Sequence, residues 1–371
     1  MSIFKRAMLI ASAIVMLVIS FTGCKYVQSP TAPVPVAPVG LPGFSLGGVS
    51  RISVSVASSV PYMAYRDIAS GNKATLMKYQ SSVWSAVGTA GFSAGQAEFV
   101  DLYMYGTVPY VIYQDGTVSN KATVMTFNGS LWANVGTAGF SAGEVLGTSI
   151  DGYNGTIYAC YEDVSNGGKA TVMTSTGGAW AALGSAGFTP SGGQNPAISV
   201  YNGVPYVAYT DASQSNKLSV MKYETGSWQQ VGNAGFTTGT AADASIFVEA
   251  GVPYVAFIDS DNALKVSVVK YAGGLWQLVG TGGISAGVAS TPKISVSGGT
   301  PYILYSDAGL VNKAVLKKHA PLAGGWIEIG ASGGLSDGAA SETSLFVVSG
   351  TSYAGYVDAA NAGKATLMLV Q

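Results

Sequence analysis

An aspartate followed six residues later by a lysine occurs seven times in this 371-residue chain. The aspartates are Asp67, Asp115, Asp163, Asp211, Asp259, Asp307 and Asp358. Their lysines are Lys73, Lys121, Lys169, Lys217, Lys265, Lys313 and Lys364, which make up 7 of the 18 basic residues. Aspartate accepts and lysine donates hydrogen bonds, so each pair suits a sugar hydroxyl or a ligand carboxylate. It suits its own loop equally well, with aspartate capping the turn and lysine closing across it. An exposed pair of that kind contributes about 0–1 kcal/mol. Both roles stay open on the residues alone.

Other reactive groups are scarce. His319 is the sole histidine, which argues against a Ser-His-Asp triad or a multi-histidine metal site. Cys160 takes the place of Ala64, Ile112 and Ala208 in register and reads as a small buried hydrophobe. Asp259-Ser260-Asp261-Asn262 alternates oxygen ligands but lacks the glycine and terminal glutamate of an EF-hand. Glu98, Glu144, Glu162, Glu249 and Glu342 are carboxylates without an assigned place. A catalytic centre breaks the symmetry of its scaffold, whereas these units are near-copies, and Val87–Gly95 and Val135–Gly143 are identical. No catalytic residue, metal or cofactor is therefore expected. A net charge of −1 gives no basic excess to attract nucleic acid.

The elements that carry the pairs follow from the same period. Tyr62, Tyr110, Tyr158, Tyr206, Tyr254 and Tyr302 are spaced by 48 residues, and Tyr353 follows after 51. Trp84, Trp132, Trp180, Trp228 and Trp276 are likewise 48 apart, and Trp326 follows after 50. Units of this size with four strand signals predict an all-β protein, a seven-bladed β-propeller of four-stranded antiparallel blades. In the fourth unit strand a is expected at Ala197–Tyr201, b at Val204–Thr210, c from Lys217 to Tyr223 and d at Trp228–Val231. Asn-Gly turns support the hairpins. The b–c and d–a loops share one end of each blade, so Asp, Lys and the Gly-rich d–a loops should form one face. Phe44, Phe92, Phe140, Phe188 and Phe236 of those loops give way to Ile284 and Leu335, which suits packing wedges better than sugar platforms. The tryptophans are expected to pack between blades.

The last unit stops at Gln371 without its tryptophan strand, and the pattern of Val39–Gly47 precedes that of Val87–Gly95 by 48 residues. The stretch near Val36–Val39 should therefore complete the seventh blade, with Pro35 and Pro38 on its outer edge. Residues 33–371 are assigned to the propeller. Lys5 and Arg6 precede the apolar run Ala7–Ile19, which is too short to span a bilayer, and Ser20-Phe21-Thr22-Gly23-Cys24 resembles a bacterial lipobox. The resemblance implies a signal peptide over 1–23 and lipid on Cys24, followed by a Pro-rich tether over 24–32.

The body resembles seven-bladed propellers of the bacterial cell envelope. It lacks the repeat signatures of the WD40, kelch and sialidase families, and its Trp-x-x-Val-Gly-x-Ala-Gly-Phe-Ser-x-Gly segment is only loosely similar to lectin propellers. The expected protein is a monomeric, extracytoplasmic propeller held to a membrane by lipid, in the outer membrane of a double-membrane organism. It would act as a multivalent module that binds glycan or protein through the b–c and d–a face, with the seven Asp/Lys pairs as candidate ligands to the guest. An envelope scaffold and a polysaccharide-active enzyme are the alternatives.

Overall fold

Residues 35–371 are described here from a computed structural model. The export segment, Cys24 and the tether lie outside the described residues. Seven four-stranded antiparallel sheets follow one another around a central axis. Blade 1 is strand a Val49–Ala57, b Val60–Asp67, c Lys73–Gln80 and d Val83–Ala86. Blades 2 to 6 repeat this order, with inner strands Ala97–Tyr105, Val145–Tyr153, Gly193–Tyr201, Ala241–Glu249 and Ala289–Ser297. Blade 7 has a, b and c at Ala340–Val348, Thr351–Asp358 and Lys364–Val370, and its fourth strand is the N-terminal Val36–Pro38. Val36 pairs with Val370 and Pro38 with Met368, so the ring is closed by the two ends of the chain. Both prolines sit on that outer edge, where a missing N–H is tolerated.

Strand b is covered on both sides by neighbouring blades, which explains apolar runs in place of strict alternation. The a–b turns are tight: Asn154-Gly155 and Asn202-Gly203 have left-handed φ at both residues, as a type I′ turn needs. Short 3-10 turns fill the b–c loops of blades 2 to 7, and the insertion in blade 6 is another, Pro321–Ala323, between c and d.

The aromatic beat is an inter-blade seam. Trp228 Nε1 donates to the Leu183 carbonyl of the preceding blade at 2.8 Å, and its ring stacks on Phe188 at 3.8 Å. Trp84, Trp132, Trp180 and Trp276 make the same bond and stack on Phe44, Phe92, Phe140 and Phe236. The loop passes so close that a Cβ on Gly232 would lie 2.9 Å from Trp276 Nε1, and Gly232 has φ +70°. Where Leu335 replaces Phe, Val36 stands at the tryptophan position, and both join one aliphatic cluster.

Candidate functional site

Each aspartate of the repeat ends strand b and turns inward, none being more than 7% exposed. In blade 4, Asp211 Oδ1 accepts from the Ser213 N–H and hydroxyl at 3.0 and 2.6 Å. Its Oδ2 accepts from the Ser219 hydroxyl at 2.7 Å, and Ser219 Oγ accepts from the Gly235 N–H of the d–a loop. Thr75, Thr123, Thr171, Ser267 and Thr366 relay to their aspartates in the same way. Blade 6 has Val315 at that place, and Asp307 accepts instead from the N–H groups of Ala286 and Gly287. The carboxylates thus tie the b–c loop, strand c and a d–a loop together.

The lysines are register partners of these aspartates, as Lys217 is of Asp211. Yet no ion pair joins any of the seven to its aspartate among the described residues. Backbone N–H and hydroxyl donors already occupy the buried carboxylate, and drawing the ammonium in would cost its hydration. The stems of Lys73, Lys121, Lys169 and Lys313 pack against loop glycines instead. Six of the loops are closed through the hydroxyl relay and that of blade 6 through backbone N–H groups, not by the lysines.

On the same face the blades cease to be copies at one position. Strand a begins four residues earlier than the alternation in unit four suggests, and every blade carries a register shift there, between Ser50 and Ser53 in blade 1. The bulged residues are Arg51, Phe99, Gly147, Asn195, Asp243, Thr291 and Glu342, seven different types at one register. All seven have φ between 47° and 54°. Left-handed backbone is unfavourable for a bulky or β-branched side chain, and retained strain of this kind gathers at functional sites. Together they rim a cavity of about 220 Å³ at the axial end of the ring.

The rim has two halves. Across blades 7, 1 and 2 it is internally paired: Glu342 accepts from the Arg51 N–H, and the Arg51 guanidinium lies 4.7 Å from the Phe99 ring centroid. Glu98 pairs with Arg51 at 3.4 Å and with Arg66 at 3.0 Å. Across blades 3 to 6, Gly147 leaves a gap, and no hydrogen bond or ion pair engages the side chain of Asp243 or Asn195 among the described residues, although the Asn195 N–H donates to Glu162. That half offers a carboxylate, an amide and the Thr291 hydroxyl, whose oxygen accepts from the Thr343 N–H at 3.3 Å and which keeps its own proton to donate.

Two residues deeper, Ser53, Asp101, Ser149, Ala197, Ser245, Lys293 and Ser344 line a second axial cavity of about 270 Å³. This ring laces neighbouring blades. Ser53, Asp101, Ser149, Ser245 and Ser344 accept from the N–H groups of Leu102, Ile150, Ile198, Ile294 and Val54. Lower still, Asp151 accepts from Gly152 and Val200. Burial outweighs those two bonds and, with nearby Asp101 adding to it, pushes Asp151 up to about 7.

A raised carboxyl means that the folded protein holds a proton that the unfolded chain has released. Stability should therefore fall as pH rises from about 4 to 7, by on the order of a few kcal/mol. Asp151→Ser copies Ser199, which accepts from Val248 at the same register. The variant should show a shallower fall in that window by urea unfolding at stepped pH, the remainder belonging to groups such as Glu162, which burial also raises.

The remaining glutamates also find places. Glu249 accepts from Gly298 and Gly299, Glu144 from Asn120 and Glu162 from Asn195. Cys160 is fully buried, and burial pushes its thiol up, away from thiolate chemistry. His319 packs against Trp326 at 5.3 Å. Asp259 caps its own 3-10 turn through Asp261 and Asn262.

No family model matches the chain, and no curated protein matches it in sequence. Two solved structures of AofleA from Arthrobotrys oligospora are similar in fold. The first has a TM-score of 0.51, with 81% of this chain and 90% of that one covered at 11% identity. The second, a triple arginine-to-alanine variant, has a TM-score of 0.50 over 81% and 91% at the same identity. At such identity the likeness shows the fold alone.

Proposed function

We propose that this propeller is a lipid-anchored, extracytoplasmic binding module with one ligand site per chain, at the rimmed axial cavity. The guest is a small hydroxyl-rich ligand such as the end of a glycan. One observation carries this reading: seven blades hold the same left-handed bulge at the same register with seven different residues. A scaffold needs no such variety, whereas a single asymmetric guest does. The open half of the rim supplies Asn195, Asp243 and Thr291, and a carboxylate beside an amide suits neighbouring hydroxyls. A cavity of about 220 Å³ is of the size of one sugar residue rather than of a larger drug-like ligand.

The strand that closes the ring begins away from the mouth. Strand Val36–Pro38 starts beside Val370, at the end of blade 7 opposite its b–c loop.

The test uses the bulge itself. Gly147 shows that glycine fits this backbone, so Asn195→Gly with Asp243→Gly should change unfolding free energy by less than about 1 kcal/mol. On an immobilised glycan array the wild type should bind a restricted set, and the double variant should lose that signal at unchanged melting temperature. An unchanged signal in the variant would reject the site.

A further inference from the structure

The second ring contains one residue of the wrong polarity. Five of its seven members accept a hydrogen bond from a backbone N–H of the following blade. At blade 6 the position belongs to Lys293, which can only donate. The N–H it faces by register is that of Leu345, the counterpart of Val54, which takes the Ser344 hydroxyl in blade 1. By register Lys293 and the Leu345 N–H belong to one position between two blades, and no side-chain acceptor meets either among the described residues; Ala197 likewise leaves the Ile246 N–H without one, but adds no donor of its own.

Lys293 is also exposed, and it is the one member of the second ring that lines the mouth cavity as well as the deeper one. No carboxylate pairs with it within 4.0 Å among the described residues. The nearby acids are engaged elsewhere: Glu342 and Glu98 hold Arg51, and Asp101 and Asp151 take backbone N–H groups. Asp243 alone is free, and it stands on the rim one residue pair above the ring. A lysine and a backbone N–H, both donors, where the mouth meets the deeper cavity suit an anion, and a carboxylate has two oxygens to offer them.

We propose that Lys293 and the Leu345 N–H bind a carboxylate, so that the ligand of the mouth is an acidic sugar of the uronate type. Its carboxylate reaches the floor while its hydroxyls meet Asn195, Asp243 and Thr291. This rests on the binding function proposed above and adds the chemical class of the guest.

Lys293→Ser separates this site from the fold. Serine occupies the register in blades 1, 3, 5 and 7, and it would give Leu345 the acceptor it lacks. Three probes are titrated into the 15N-labelled protein: sodium acetate, D-galacturonate and D-galactose. Acetate and galacturonate should both shift the Leu345 amide, and galacturonate should bind at least about tenfold more tightly than galactose. In Lys293→Ser that preference should vanish at unchanged melting temperature, with galactose affinity kept. Equal affinities in the wild type, with Leu345 unmoved by acetate, would overturn the carboxylate site and leave the mouth reading intact. If acetate moves Leu345 but neither sugar binds, the anion site stands and the sugar assignment falls.

Discussion

Asp211→Ala is expected to lower the unfolding free energy by about 3 kcal/mol, although the side chain carries one of only 19 acidic groups on a chain poor in charge. The carboxylate is fully buried and accepts three hydrogen bonds, two of them from hydroxyls at 2.6 and 2.7 Å. Alanine leaves the Ser219 hydroxyl, itself bonded to Gly235, without its acceptor, and it removes the cap of the b–c turn. Lys217→Ala, six residues on, loses only a partly exposed stem and should change stability by less than about 0.5 kcal/mol. Urea denaturation of the two variants side by side reads this difference. Equal losses would mean that the aspartate and lysine work as a pair.

Removing residues 1–39 should have a larger effect. The truncation takes away the outer strand of blade 7 and the bonds from Val39 to Leu367 and from Gln371 to Pro35. It also takes the carbonyl that Trp84 uses to hold blade 1, and it opens the aliphatic seam of Val36 with Leu335. Strand Lys364–Val370 would become a bare apolar edge, which invites pairing between chains. The expected result is a melting temperature at least about 10 °C lower, with self-association by light scattering. A monomeric truncate with unchanged melting would show that the ring closes by blade-to-blade packing alone.

The parts of the fold that repeat were legible in the sequence. Tyrosines and tryptophans at a fixed interval mark strands b and d, and the missing last tryptophan pointed to Val36–Pro38 as the closing strand. The change from Phe to Ile284 and Leu335 indicated packing, and the structure places these side chains in inter-blade clusters. The aspartates were found, but not what they bond. The relay runs through Thr75, Ser219 and their equivalents eight residues on, and no local pattern ties those hydroxyls to the carboxylates.

The rim was missed for a physical reason. A bulge inserts one residue into strand a, so the period-2 alternation breaks at Arg51 and its equivalents, and strand a is read as starting after them. The residues differ in every unit, so a search for repetition passes over them. The usable signal was the reverse: in a 48-residue alignment, position 51 varies from Arg to Gly to Glu while the residue after it stays small or apolar. Lys293 carried a similar signal, as a lysine in a column otherwise made of serine, alanine and one aspartate.

The number of ligands bound per chain tests the central claim most directly. Seven equal Asp/Lys sites and one asymmetric mouth make different stoichiometries on the same face. Calorimetric titration of the protein with D-galacturonate should give one site per chain, abolished by Asn195→Gly with Asp243→Gly and unaffected by Lys217→Ala. A stoichiometry near seven, or one site that survives the rim substitutions, would contradict it.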